Sequence, residues 1–355
     1  MKIVIVTDAA PPQVNGVVIT LTTLGRELGA LGHTVHFVTP ASFRTMPCPT
    51  YPEIRLALFP AAGVRRALDT LKPDAIHIAT EGPLGIAARR YCVRRKLPFT
   101  TSYHTRFPEY VRARVPLPIS VTYAWLRRFH GRAQRVMVPT LSIQQELQAR
   151  DFGNTVIWPR GVDVEKFRPE GPGAPADAVP ADGRPVFAYV GRVAVEKNLR
   201  AFLELELPGS KWVIGGGPQL EELRLAYPAT HFSGAVAHAA LPAYYRAADV
   251  FVFPSRTDTF GLVLLEALAC GVPVAANPVP GPLDVIGANG PGVLDHDLRA
   301  AAIGALRIPR EAARSHALRF SWKHVAQVFL GHLAPIGAAP AESARLRANG
   351  LQQAL

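Results

Sequence analysis

Two carboxylates stand in the segment Pro254-Ser-Arg-Thr-Asp258-Thr-Phe260-Gly261-Leu-Val-Leu-Leu-Glu266-Ala-Leu-Ala-Cys-Gly271. Asp258 precedes an expected helix, and Glu266 lies inside its apolar run of Leu262, Val263, Leu264, Leu265 and Leu268. An ionised glutamate in such surroundings is costly unless a polar partner meets it. With a helix start near Phe260 or Gly261 and a rise of ~1.5 Å per residue, Glu266 lies roughly 8–9 Å along the axis. The free N–H groups at that start, with Asp258 beside them, suit an anionic or hydroxyl-rich ligand. The spacing fits a ligand with hydroxyls at both ends and phosphate between them, such as a nucleotide sugar. The same residues read equally well as a helix cap at Asp258 and a buried salt-bridge partner at Glu266.

A second constellation is Gly191-Arg192-Val-Ala-Val-Glu196-Lys197-Asn198, after the expected strand Val186–Val190. A forked guanidinium and a mobile ammonium in one loop can clamp a diphosphate from two sides; a solvated Glu196–Lys197 pair is the plainer reading. Asn15-Gly16 follows the strand Lys2–Thr7 at a helix entrance, where glycine lets a phosphate approach the backbone. The stretch lacks the Gly-x-Gly-x-x-Gly fingerprint, which argues against a nicotinamide enzyme. Gly215-Gly-Gly217-Pro218 is another strand end with proline early in the following helix. His104 ends a strand in Thr101-Ser-Tyr103-His104-Thr-Arg, and Glu81-Gly-Pro marks the preceding strand end. His77, inside the strand Ala75–Ile78, reads as structural. Asp295-His296-Asp297 is a chance match to an Asp-x-Asp metal motif, and no metal or cofactor is expected.

Together these motifs resemble the GT-B glycosyltransferases, in the large bacterial family that includes mannosyltransferases and sulfoquinovosyl diacylglycerol synthases. The segment from Asp258 to Glu266 is similar to the Glu-x7-Glu signature of retaining members, with Asp in place of the first Glu. The resemblance implies transfer of a hexose from a nucleotide-diphosphate sugar with retention at the anomeric carbon. It places Glu266 on the ribose, Arg192 and Lys197 on the diphosphate, and Asp258 with the backbone of Thr259, Phe260, Gly261 and Leu262 on the sugar. Gly217 would wall the donor pocket, Gly16 would close on the diphosphate, and His104 would sit at the reacting centre. Arg192, Lys197, Asp258 and His104 are thus the expected catalytic set, while Glu81 and Tyr103 are expected to join His104 around the acceptor. Without metal, the two cations would neutralise the departing nucleoside diphosphate. Donors with uridine are favoured over guanosine, with GDP-mannose as the other choice. A non-transferring nucleotide-sugar-binding protein is the rival from a different class.

The elements that position these residues alternate strand and helix, which predicts parallel sheets covered on both faces. In 355 residues with 48% apolar content there is room for two domains. The expected α/β architecture is two Rossmann-like domains facing across a cleft: residues 1–170, a Pro/Gly/Ala-rich linker 171–183, residues 184–318, and a helical segment 319–355 returning to the first domain. Three cysteines in no framework spacing point to a reducing cytoplasm, and no signal peptide or membrane span is expected. Charge is uneven: residues 1–170 hold 23 Lys+Arg and 12 Asp+Glu, against 39 and 27 in the whole chain. A basic half implies an anionic partner. In the stretch 108–135, Ile119, Val121, Tyr123, Trp125, Leu126 and Phe129 interleave with Arg127, Arg128, Arg132 and Arg135. That pattern suits an anionic lipid surface, although a helix packed on its own domain explains the same apolar residues. No nucleic-acid-binding module is present. The expected acceptor is therefore a membrane lipid such as diacylglycerol or a glycolipid, at the inner membrane face, with a soluble sugar as the alternative.

Overall fold

The computed structural model describes residues 1–13, 15–48, 51–112, 118–180, 183–256, 258, 260–287 and 289–337. The chain divides into two compact units: Met1–Pro159 with the segment from Trp322 onward, and Arg160–Ser321. Among the described residues the strands form two six-stranded sheets and one two-stranded ribbon.

The first unit is built on a parallel sheet in the order Thr34–Val38, Lys2–Val6, Ala75–Ile78, Thr100–Ser102, Arg135–Val138, Thr155–Ile157. Ile3 to Val6 are wholly buried, as a continuous apolar run requires when helices cover both faces of a parallel sheet. The helix Gly16–Ala30 turns Leu21, Leu24 and Leu28 inward. The antiparallel ribbon Thr45–Cys48 with Tyr51–Ala57 follows the second strand; its prolines and mixed polarity hide it from a periodicity reading. The C-terminal helix Trp322–His332 packs on this same unit, as expected. Trp158 Nε1 donates to the Val325 carbonyl at 3.1 Å and Arg135 to that of Gly331 at 3.0 Å. Further on, the Ile336 N–H donates to the Asp74 carbonyl at 2.7 Å. Residues 338–355 of the expected helical tail lie outside the described residues.

The basic-aromatic stretch forms two helices, Phe107–Arg112 and Ile119–His130, with 113–117 outside the described residues. Its apolar side chains divide between two environments. Tyr123, Leu126 and Phe129 are core, and this corrects their expected place at a lipid surface. Phe107, Val121 and Trp125 are exposed, with Arg127 and Arg128 beside them. The Trp125 ring stacks on Phe129 and lies 6.1 Å from that of Phe107.

The second unit holds a parallel sheet in the order His231–Gly234, Ser210–Ile214, Val186–Val190, Val250–Phe253, Val274–Ala276, Gly292–Leu294. Numbered within the unit this is 3-2-1-4-5-6, the order of a doubly wound dinucleotide-type fold, in which ligands bind outside the carboxyl ends where the order reverses. The reversal lies between Val186–Val190 and Val250–Phe253. The stretch 171–183, expected as a linker, lies in this unit; Ala174, Ala178 and Val179 pack on its core, and Arg246 donates to the Pro172 carbonyl.

Candidate functional site

Two loops of the second unit leave its sheet at the switch point. After Val190 the chain enters Gly191 and Arg192, and after Phe253 it runs through Pro254 to Asp258. Three contacts lock the first loop: Tyr189 Oη donates to the Arg192 carbonyl at 2.8 Å, the Val193 N–H to the Gly216 carbonyl at 2.9 Å, and the Gly191 N–H to the Ile214 carbonyl at 3.0 Å. This close pairing explains the glycines. A Cβ on Gly215 would stand 1.8 Å from the Gly191 oxygen, and one on Gly217 2.2 Å from the Val193 oxygen. Gly215 also has φ +149°. Gly215→Ala is therefore expected to destabilise the protein by about 3 kcal/mol or more, read as a lowered denaturant midpoint; an unchanged midpoint would count against this packing.

Lys197 closes a short 3₁₀ turn, Val195–Lys197, and Asn198 follows in the left-handed region at φ 54°. The Asn198 amide donates to the Pro254 carbonyl at 3.2 Å and so ties the cationic loop to the strand end that leads to Asp258. Across this bridge the Lys197 ammonium meets Asp258 Oδ1 at 2.5 Å. The buried Asp258 Oδ2 has no hydrogen-bond partner among the described residues. A buried carboxylate oxygen left in that state is a spare acceptor for a ligand hydroxyl.

The signature helix is Leu262–Ala269, entered through Gly261 at φ +83°, and no side chain caps it. Asp258 is thus a partner of Lys197 and not a helix cap. A Cβ on Gly261 would meet Leu264 Cδ1 at 2.9 Å. Phe260 is buried and Leu262 half-buried against the core. The helix Pro280–Ile286 comes close behind, where a Cβ on Gly281 would stand 3.0 Å from the Phe260 oxygen. Thr259 lies outside the described residues. Glu266, 5% exposed, finds its polar partners in His238, whose Nε2 lies 3.0 Å from Oε1, and Tyr245, whose hydroxyl donates to Oε2 at 3.0 Å.

In the first unit, Gly16 is exposed at the start of its helix, where the Asn15 carboxamide oxygen already accepts from the Val17 and Val18 N–H groups at 3.1 and 3.0 Å. A phosphate at this helix end would have to displace that cap. Asp8, in the same loop, is likewise a cap: its buried carboxylate accepts from the Leu84 and Gly85 N–H groups and the Thr80 hydroxyl, and burial pushes its pKa up. His104 is half-buried, its ring set edge-on 5.8 Å from Trp158. Glu81 pairs at 3.2 Å with Nε2 of the buried His130, whose Nδ1 meets the Thr101 hydroxyl at 2.9 Å. Tyr103 is 1% exposed and packs with Tyr123 and Leu126. His77 is structural, with its ring nitrogens on the Thr100 and Ser102 hydroxyls at 2.9 and 2.8 Å. Asp297 caps the helix Leu298–Ala305 through the Arg299 and Ala300 N–H groups, which accounts for the Asp-x-Asp match.

The donor candidates Arg192, Lys197, Gly217, Asp258 and Glu266 thus all belong to the second unit, and Gly16, Glu81 and His104 to the first. His238, Tyr245 and His130 escaped the sequence reading. A tyrosine in an apolar helix and a lone histidine in a loop look like packing residues until their polar atoms are seen to reach a carboxylate.

Paired parallel α/β units with a doubly wound sheet and a C-terminal helix returned to the first are the fold of GT-B glycosyltransferases. Models of Glycosyltransferase Family 4 and of Glycosyl transferases group 1 match residues 14–166 and 175–305. The chain belongs to this glycosyltransferase family and is a glycosyltransferase. It is 28% identical to a GDP-mannose-dependent alpha-mannosyltransferase of Mycobacterium tuberculosis, over 94% of this chain and 96% of that protein. It is 29% identical to an alpha-monoglucosyldiacylglycerol synthase of Streptococcus pneumoniae, over 86% of this chain and 78% of that one. Among solved structures, the sucrose-phosphate synthase of Thermosynechococcus elongatus superposes with a TM-score of 0.70 at 23% identity, over 92% of this chain and 96% of that chain.

Proposed function

We propose that the protein transfers a hexosyl group from a nucleotide-diphosphate sugar, with retention and without a metal ion, to a membrane lipid such as diacylglycerol or a glycolipid. The observation that carries this reading is the Lys197–Asp258 pair, formed by the two loops that leave the doubly wound sheet at its switch point, with Arg192 on the first loop and Glu266 on the helix that follows the second. In this reading Glu266 accepts from the ribose hydroxyls, and Arg192 and Lys197 hold the diphosphate. Asp258 Oδ2 accepts from a sugar hydroxyl, and the backbone N–H groups at Phe260, Gly261 and Leu262 donate to sugar oxygens. As the glycosidic bond to phosphate breaks, charge grows on the leaving diphosphate, where two preorganised cations lower the barrier. The acceptor attacks from the same face, and the departing phosphate takes its proton. Gly16 closes on the diphosphate, His104 positions the sugar or acceptor, and Glu81, set by His130, touches the acceptor.

The relatives move the first donor to be tried from a uridine to a guanosine sugar, because the mannosyltransferase that matches almost end to end is named as GDP-mannose-dependent. A lipid acceptor draws support from the diacylglycerol in the other relative's name and from the basic first unit with its exposed Phe107, Val121 and Trp125. Among the described residues no helix is long and apolar enough to cross a membrane; the exposed Phe107, Val121 and Trp125 are the proposed lipid contact. Trp125→Glu combined with Val121→Glu is expected to weaken co-sedimentation with anionic vesicles about tenfold; undiminished binding would remove this helix from the membrane contact.

Mass spectrometry of vesicles containing diacylglycerol, incubated with GDP-mannose or a UDP-hexose, tests the reaction. A hexosyl lipid with the donor's anomeric configuration by NMR is the expected product. Release of nucleoside diphosphate without glycolipid would move the acceptor to soluble sugars. Donor binding without turnover would favour a protein that binds nucleotide sugars and does not transfer.

A further inference from the structure

Glu266 is one link in a chain of side chains that no motif marks. His238 lies between the strand His231–Gly234 and the helix Leu241–Ala247, and Tyr245 is on that helix. The Lys166 ammonium stands 2.6 Å from His238 Nδ1, and His238 Nε2 stands 3.0 Å from Glu266 Oε1. An ammonium has no lone pair, so Nδ1 must be the acceptor and the ring proton must sit on Nε2. Lys166 thereby fixes the neutral tautomer that donates to Glu266. From the other side Tyr245 donates to Oε2, and complete burial pushes its phenol well above the ordinary range, so it stays a donor. Both carboxylate oxygens are fixed in place, and each, with one bond accepted, keeps a free lone-pair direction. Two adjacent acceptors held rigidly match two adjacent hydroxyl donors.

We propose that Lys166, His238 and Tyr245 are positioning residues that hold Glu266 to select a vicinal diol, so that this chain of contacts sets the preference for ribose over deoxyribose in the donor. The proposal rests on the ribose reading of Glu266. A side chain that merely filled space beside Glu266 would alter stability and overall affinity, but not the ratio between ribo- and deoxyribonucleotides.

The test is calorimetric binding of GDP and UDP to the full chain, each against its 2′-deoxy counterpart. Wild-type protein should prefer the ribonucleotide by about tenfold or more, the worth of a hydrogen bond to a charged group. His238→Phe should bring the ratio to about twofold or less, and His238→Gln, which keeps a donor near the Nε2 position, should restore most of it. Should His238→Phe fail to fold, Tyr245→Phe and Lys166→Met each remove one link with little change in shape, and both should lower the ratio. A folded His238→Phe variant, or in its absence both other variants, with the wild-type ratio would overturn the proposal. Glu266→Ala separates the two layers. If it abolishes the ratio while the other variants keep it, only the positioning role fails. If Glu266→Ala also keeps the ratio, the ribose reading itself falls.

Discussion

Glu266→Ala is expected to weaken binding of the nucleoside diphosphate about a hundredfold or more. The carboxylate would accept two ribose hydroxyls, and hydrogen bonds to a charged acceptor are worth about 1.5–3 kcal/mol each, against 1.4 kcal/mol per factor of ten. The site also pays a second cost. With the carboxylate gone, the buried Tyr245 hydroxyl and His238 Nε2 lose their acceptor, which adds about 1–3 kcal/mol of destabilisation per orphaned group. The variant should therefore show a lowered unfolding midpoint as well as weak binding. Calorimetry with the nucleoside diphosphate separates the effects, and donor affinity equal to wild type would remove the ribose role.

Lys197→Ala should act on turnover more than on binding. Its ammonium would meet the diphosphate as charge develops there, and removing one such preorganised group costs about 10²–10³ in kcat. Asp258 reinforces the effect. It holds Lys197 in place at 2.5 Å, and without that cation a partly buried carboxylate faces an anionic ligand. Coulombic repulsion then opposes the donor in the ground state too, so KM should rise while kcat falls by the larger factor. Steady-state kinetics with the active donor checks this, and a change confined to KM would place Lys197 outside the leaving-group site. Lys197→Arg is expected to recover only part of the loss, because a longer, planar guanidinium presents its donors in a different geometry from the compact ammonium that meets Asp258.

The unequal legibility of these features in the sequence has physical causes. Val186–Val190 and Val250–Phe253 are short apolar runs, rich in valine and aromatics and followed by turn residues, and they are buried on both faces as covered parallel strands require. Arg192, Lys197 and Glu266 stand out as candidates in the sequence because local spacing within a loop and along a helix marks them. The Lys197–Asp258 pair does not, since it joins loops 61 residues apart and depends on two strands being neighbours in the sheet. His238 and Tyr245 were hidden for the same reason: their partner Glu266 lies 28 and 21 residues further on. In the helix Ile119–His130 the aromatic and basic pattern was plain, but it took the fold to turn Tyr123 and Leu126 inward and leave Trp125 outside. For 171–183, composition announced irregular backbone; it carried no sign that Ala174 and Val179 pack on a core.

In the proposed function, the switch point of the second unit holds the nucleotide sugar. Amide hydrogen exchange on the full chain, with and without saturating GDP-mannose or UDP-glucose, tests it directly. Slowed exchange is expected in the peptides covering 191–198 and 258–266 with whichever donor binds. Unchanged exchange in both, with protection elsewhere on the chain, would contradict it.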